Sequence, residues 1–214
     1  MDKKIKMQSP KIDNILEANT NIIEKILEDE IIEDVLVENL VIENIMGIRV
    51  RFNSCIFRNV IFENCDLRKI DMTDVIFENC NLSNINFSDS GIYRIAFENC
   101  KLTGTRFDES ILKSVSFRKC LGKYSNFSFS KFKGVGIYES DFQGSIFQQV
   151  ENSTLELEDV NLITSVFTGT SLMNVDFTTS NIDGIEVRIS DMKGAIFTPF
   201  QGLELTKLMG IIIK

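Results

Sequence analysis

Val75-Ile76-Phe77-Glu78-Asn79-Cys80-Asn81-Leu82-Ser83-Asn84-Ile85-Asn86-Phe87 decides how this chain folds. A large apolar residue falls at Phe77, Leu82 and Phe87, five apart, and a smaller uncharged one two places earlier at Val75, Cys80 and Ile85. Extended in both directions, the register runs unbroken from Val37 to Phe197: 33 positions, of which 30 are Val, Ile, Leu, Met or Phe. The exceptions are Gly47, Gly122 and Asn152. Fifteen of the 17 Phe lie in this register, and only Phe129 and Phe200 lie outside it. The 33 positions two residues earlier, Val35 to Ala195, hold only Ala, Cys, Ser, Thr, Val, Ile or Leu. Neither the 3.6-residue period of a helix nor the 2-residue period of a strand yields a period of five, so the pattern is an internal repeat.

A five-residue unit with two inward positions is too short for a helix or a hairpin. It suits one side of a coil: a short extended segment, a turn of about a right angle, and the same again, four units closing a square. Stacked coils then hydrogen-bond at strand spacing, and each covers the open edge of the next. A solenoid of this kind contacts only its neighbours along the chain and needs caps at its ends. Residues 20 apart are expected to stack: Phe57, Phe77, Phe97, Phe117, Ile137, Leu157, Phe177 and Phe197 in one column, and Leu67, Phe87, Phe107, Phe127, Phe147, Phe167 and Val187 in another.

The units Cys65-Asp66-Leu67-Arg68-Lys69, Cys80-Asn81-Leu82-Ser83-Asn84, Ser125-Asn126-Phe127-Ser128-Phe129 and Ser140-Asp141-Phe142-Gln143-Gly144 resemble the pentapeptide repeat proteins. Phe-Glu-Asn-Cys occurs three times, at Phe62, Phe77 and Phe97. The resemblance implies an all-β solenoid, a right-handed quadrilateral β-helix. Family members often carry Ala at the small position, where this chain often has Val, Ile or Cys, which implies tightly filled corners. The expected organisation is an N-terminal, partly helical cap over 1–34, the repeat β-helix over 35–197, and a C-terminal helix and tail over 198–214.

Cys55, Cys65, Cys80, Cys100 and Cys120 all occupy the small inward position. They read as corner fillers, because the chain has no His and no CxxC spacing that would build a metal site. The absence of His also removes the commonest general base, and no nucleophile elbow, phosphate loop or paired-carboxylate motif stands out. The expectation is a non-enzyme with no cofactor. No apolar run follows Met1-Asp2-Lys3-Lys4, and no stretch approaches a membrane span, so a soluble cytoplasmic protein is expected.

At the N-terminal end, Asn21 with Glu24 forms a potential capping box for a short helix near 20–30, with Ile22, Ile23, Ile26 and Leu27 on one face. At the other end, Thr198-Pro199-Phe200-Gln201 reads as N-cap, Pro at the first helical position and Gln at the third, and Gly210 sits where a C-terminal cap belongs. Phe200, Leu203, Leu205, Leu208, Met209, Ile211 and Ile213 are more apolar surface than one short helix can hide on a narrow rod. They predict a homodimer contact through the C-terminus.

This closing segment is similar to the end of the Qnr quinolone-resistance proteins and their relatives. That resemblance implies two rods joined tail to tail, binding to the type II topoisomerases DNA gyrase and topoisomerase IV, and imitation of duplex DNA. Many Qnr members carry two loops that interrupt the coils. The perfect register here matches the loop-free relatives.

The net charge of −8 is unevenly placed. Residues 1–47 carry −6; residues 48–133, with 14 basic and nine acidic residues, carry +5; residues 134–197, with two basic and ten acidic, carry −8. The ten are Glu139, Asp141, Glu151, Glu156, Glu158, Asp159, Asp176, Asp183, Glu186 and Asp191. In a tail-to-tail dimer they form an acidic centre, and complementary potentials would steer it to a basic DNA-binding groove. Direct nucleic-acid binding by the +5 stretch is not expected, because that charge is spread around four sides.

Overall fold

The structure, a computed structural model, describes residues 6–12, 17–18, 21–28, 31–46 and 49–212. Its body is a four-sided β-helix with every strand pairing parallel. Eight-residue strands at Arg51–Arg58, Asp71–Glu78, Gly91–Glu98, Ile111–Arg118 and Lys131–Tyr138 stack with a register of 20, Phe57 against Phe77, Phe77 against Phe97 and Phe97 against Phe117. The other sides are held by single bridges with the same offset, such as Asn81 to Lys101 to Leu121 and Asn86 to Arg106 to Asn126.

Both inward positions are filled as the period requires. The rings of Phe57, Phe77, Phe97 and Phe117 stack with centroids 5.0, 5.1 and 5.0 Å apart. Phe107, Phe127, Phe147 and Phe167 form the second stack at 5.0, 4.9 and 4.6 Å. Neighbouring columns meet edge to face, as Phe97 does with Phe107. The small position has a polar task as well. Thr105 Oγ1 donates to the Leu82 carbonyl at 2.7 Å, Ser125 Oγ to Leu102 at 2.8 Å and Ser145 Oγ to Gly122 at 2.9 Å, each reaching 23 residues back to the preceding coil. The Cys80, Cys100 and Cys120 thiols make the same contact, at 3.3 Å, with the carbonyls of Phe57, Phe77 and Phe97. Cysteine in this fold is therefore a weaker serine as well as a small hydrophobe.

The right angles come from the second residue after each large apolar one. From Asp34 to Gly194 these positions adopt left-handed φ except at Thr154, Thr179 and Ile189; Asn59, Asn79, Asn99 and Gly104 are among them. Asn and Gly tolerate that region best, and Phe129 at φ 60 is one of the residues that do not. Its conformation places it on an outer corner, half exposed, which explains why it falls outside the Phe register. Stacked corners bond to one another: the Asn59 and Asn79 amides donate to the Glu78 and Glu98 carbonyls at 2.9 Å, and Asn59 Nδ2 to Asn39 Oδ1 at 3.0 Å.

Two breaks in the register have local solutions. Gly122 is compensated from the next coil, because the Phe142 ring occupies the space where a Gly122 Cβ would stand, 2.4 Å from the ring edge. Asn152 turns inward, gives its Nδ2 to the Ser171 carbonyl at 3.1 Å, and leaves its Oδ1 buried without a partner among the described residues. The strand splits there into Glu151–Asn152 and Leu155–Glu158.

Helix Ile22–Leu27 lies near the first coil with Ile22 and Ile26 fully buried, but the Asn21 side chain makes no capping bond to it. Coil pairing starts ahead of residue 35: Ile31–Glu33 pairs with Arg51–Asn53, and Ile32 is buried in the repeat register. The C-terminal capping box is formed in full, and the α-helix Pro199–Leu205 passes into a tighter 3₁₀ turn at Thr206–Met209 that ends on left-handed Gly210. Gln201 serves twice: its Oε1 accepts from the Thr198 amide, and its Nε2 donates to the Phe177 and Ser180 carbonyls, both at 2.8 Å, pinning the helix to the last coil. No helix among the described residues is long and apolar enough to cross a membrane.

Candidate protein-interaction faces

The 20-residue register sorts the ten acidic residues by side, which the linear sequence does not do. Glu156 and Glu158 pair alongside Gly136 and Tyr138, and Asp176 follows Glu156 by one coil. With Asp159 and Glu139 at the adjoining corner they share one side of the rod. Asp141, Glu151, Asp183, Glu186 and Asp191 stand on the other sides by the same register. Glu156, Glu158 and Asp176 line a depression of about 480 Å³ together with Tyr138, Leu157 and Met173. Tyr138 is laid flat over Gly136, where a Cβ would come within 2.2 Å of its hydroxyl oxygen. That hydroxyl donates to Glu156 at 3.1 Å, and burial together with the Glu156 charge pushes the phenol up to about 12. Asp176 accepts the Thr178 hydroxyl at 2.7 Å and amide at 2.9 Å, which holds its carboxyl below the usual value.

Three of the ten are already matched by cations from the basic stretch. Arg118 and Lys119 reach Glu139 at 3.0 and 3.5 Å, Lys123 reaches Asp141 at 3.2 Å, and Lys131 reaches Glu151 at 3.0 Å. The acidic section proper therefore begins near Glu156, later than the charge count along the sequence suggests. Asp191 is occupied in holding the Gly169 amide at 2.8 Å. The basic stretch is similarly drawn into pairs: Arg58 bridges Glu38 and Glu78 at 2.7 and 2.6 Å, Arg106 holds Asp108 at 2.9 Å, and Arg68 and Arg94 pair with Asp66 and Asp74. The exposed pairs among these add little stability but reduce the outward field, while Arg94 and Asp74 are largely buried.

At the C-terminal end, Phe200 is 83% exposed and Ile212 85%, and Leu203, Leu208, Met209 and Ile211 are also exposed. Leu205 differs from the expectation: it packs against the core, because a helix of seven residues pinned by Gln201 must turn one side to the last coil. Ile213 lies outside the described residues. Phe200, Leu205 and Leu208 line a cleft of about 640 Å³ between the helix and the coil edge at Thr178–Ile185. Ile212 joins this exposed apolar set beside Ile211.

The repeat geometry is matched by a family comparison. Residues 70–140 match the pentapeptide repeat region, and residues 49–90 match pentapeptide repeats in eight copies. Between them the two matches cover residues 49–140, the part of the β-helix with the longest strands. Among solved structures the chain is similar to full-length QnrB1, a plasmid-mediated fluoroquinolone resistance protein, at 16% identity over 82% of this chain and 100% of that one, with a TM-score of 0.49. A trypsin-treated form of QnrB1 gives 19% identity over 87% and 91%, with a TM-score of 0.49. HetL, a pentapeptide repeat protein involved in heterocyst differentiation regulation from the cyanobacterium Nostoc, gives 12% identity over 77% and 90%, with a TM-score of 0.31. No curated protein matches.

Proposed function

We propose that this protein is a DNA-mimicking binding protein, not an enzyme, that engages a type II topoisomerase, DNA gyrase or topoisomerase IV, and protects it from fluoroquinolones. The observation that carries the reading is the side of the rod holding Glu156, Glu158, Asp159 and Asp176, next to an apolar C-terminal end. A tail-to-tail homodimer through Phe200, Leu203, Leu208, Met209 and Ile211 would set two such sides about a two-fold axis and double the local negative charge. Strands 4.8 Å apart space the carboxylates on a scale comparable to phosphates along a duplex. The Thr-Pro-Phe-Gln and Leu-rich ending that resembles the Qnr proteins points to the same partner.

The test is a gyrase supercoiling assay with ciprofloxacin, with and without this protein. Restored supercoiling at inhibitory drug concentration is expected. A second reading, an interaction scaffold for another partner, is favoured by the repeat alone, since a fold does not specify a function. It takes over if the protein neither binds gyrase or topoisomerase IV nor changes their activity.

A further inference from the structure

Residues 6–12, outside the repeat, run back along the rod and dock on it far from their place in the sequence. The Lys11 amide donates to Asp74 Oδ1 at 2.8 Å, across 63 residues, and the Tyr93 hydroxyl donates to Gln8 Oε1 at 3.3 Å, across 85. The receiving side is built from paired residues of the coils. Asp74 and Arg94 are stacked left-handed corners that pair with each other, and Asp74 is only 6% exposed. The Tyr93 ring meets the Arg94 guanidinium, 4.1 Å from its centroid, and the Lys113 ammonium, 4.7 Å away. Burial alone would raise the Asp74 carboxyl, but the bonds from Arg94 and the Lys11 amide outweigh it and hold it below its ordinary value. A preorganised carboxylate that accepts a backbone amide, beside an amide-binding phenol, is a way of reading extended polypeptide rather than packing a core.

We propose that the Asp74–Tyr93 side of the rod is a docking site for an extended peptide, which this chain fills in cis with its own arm. The arm supplies the chemistry that the site recognises: a backbone N–H to Asp74 and a side-chain amide oxygen to the Tyr93 hydroxyl. The arm's advantage is effective concentration, and this sets how strong a competitor must be. This inference stands apart from the topoisomerase reading, since it uses a different side of the rod.

The test needs only the full chain and synthetic peptides. The three tyrosines, Tyr93, Tyr124 and Tyr138, are replaced by 3-fluorotyrosine and followed by fluorine NMR, with Tyr93→Phe assigning the signal. Lys11→Pro removes the amide donor from the arm and leaves the coils untouched. It is expected to shift the Tyr93 signal and to leave Tyr124 and Tyr138 in place. The peptide Lys6–Ile12, added to the Lys11→Pro protein, is expected to restore the wild-type Tyr93 signal saturably. The same peptide N-methylated at Lys11 is expected to bind about tenfold more weakly, the effect of losing one charge-assisted hydrogen bond. A Tyr93 signal identical in wild type and Lys11→Pro would overturn the docking. Equal action of the two peptides, or no action of either, would overturn the peptide site.

Discussion

Phe97→Ala tests the columns most sharply. Phe97 is fully buried, stacked between Phe77 and Phe117 at 5.1 and 5.0 Å and met edge-on by Phe107 at 6.0 Å. Truncation to Ala removes the ring and leaves a cavity, for which ~3–5 kcal/mol is the usual cost of a buried Phe. The upper half of that range is expected, because the strands above and below are fixed by ladder bonds and cannot collapse into the gap. Lost ring stacking adds to it, at roughly 0.5–1.5 kcal/mol per pair. Phe129→Gly is the paired control: the same side chain is lost from a half-exposed corner at φ 60, and the glycine relieves the left-handed backbone. It should stay within about 1 kcal/mol of wild type. The assay is urea unfolding followed by circular dichroism, comparing midpoints at equal slope, with hydrogen exchange to check whether coils open separately, as a solenoid permits. A Phe97→Ala cost below that of Phe129→Gly would refute the inward register.

Gly122→Leu should destabilise by ~1–3 kcal/mol through overpacking against the Phe142 ring, and Phe142→Leu in the same chain should recover most of the loss, a coupling readable by a double-mutant cycle. Burial pushes the Cys55 thiol up to about 11 and the Cys120 thiol to about 12. At pH 8 thiolate scarcity alone should slow Cys55 about a hundredfold against a disulfide reagent, and the block to access slows it further, so at that pH Cys55 and Cys120 should react mainly on unfolding. Raising the pH toward 11 should speed the reaction in the folded state, because the reactive form is the thiolate. Deletion of 199–214 should convert dimers to monomers or aggregates in light scattering, and a wild-type protein that is monomeric at tens of micromolar would remove the dimer from the account.

The parts of the fold that follow from periodicity were legible in the sequence. A strict spacing of five forces Phe77, Phe97 and Phe117 into one column, whatever lies between them. The C-terminal capping box was legible because Thr198, Pro199 and Gln201 are local in sequence. The corner conformation carried a signal that spacing of the apolar residues does not use: Asn, Asp or Gly recurring two positions after many of the large residues, as at Asn79, Asn84 and Asp89. The N-terminal arm carried none, since its contacts reach across 63 and 85 residues and rest on a backbone amide. The candidate acidic surface was legible as a charge excess but not as a surface. Only the coil register separates Glu156, Glu158 and Asp176 from Asp183 and Glu186, and only side-chain reach shows that Lys123 and Lys131 offset Asp141 and Glu151.

The central claim is that negative charge on one side of the rod recognises a topoisomerase. The direct measurement is gyrase binding by the variant Glu156→Gln, Glu158→Gln, Asp159→Asn and Asp176→Asn, at low salt and at about 0.15 M salt, where charges are screened within ~8 Å. Circular dichroism should show the fold intact, because these side chains lie outside the inward positions. The account predicts affinity at least about tenfold weaker than wild type at low salt, and a much flatter salt dependence, whereas Arg58→Gln and Arg68→Gln in the basic stretch change little. Undiminished binding and protection by the four-fold amide variant would contradict it.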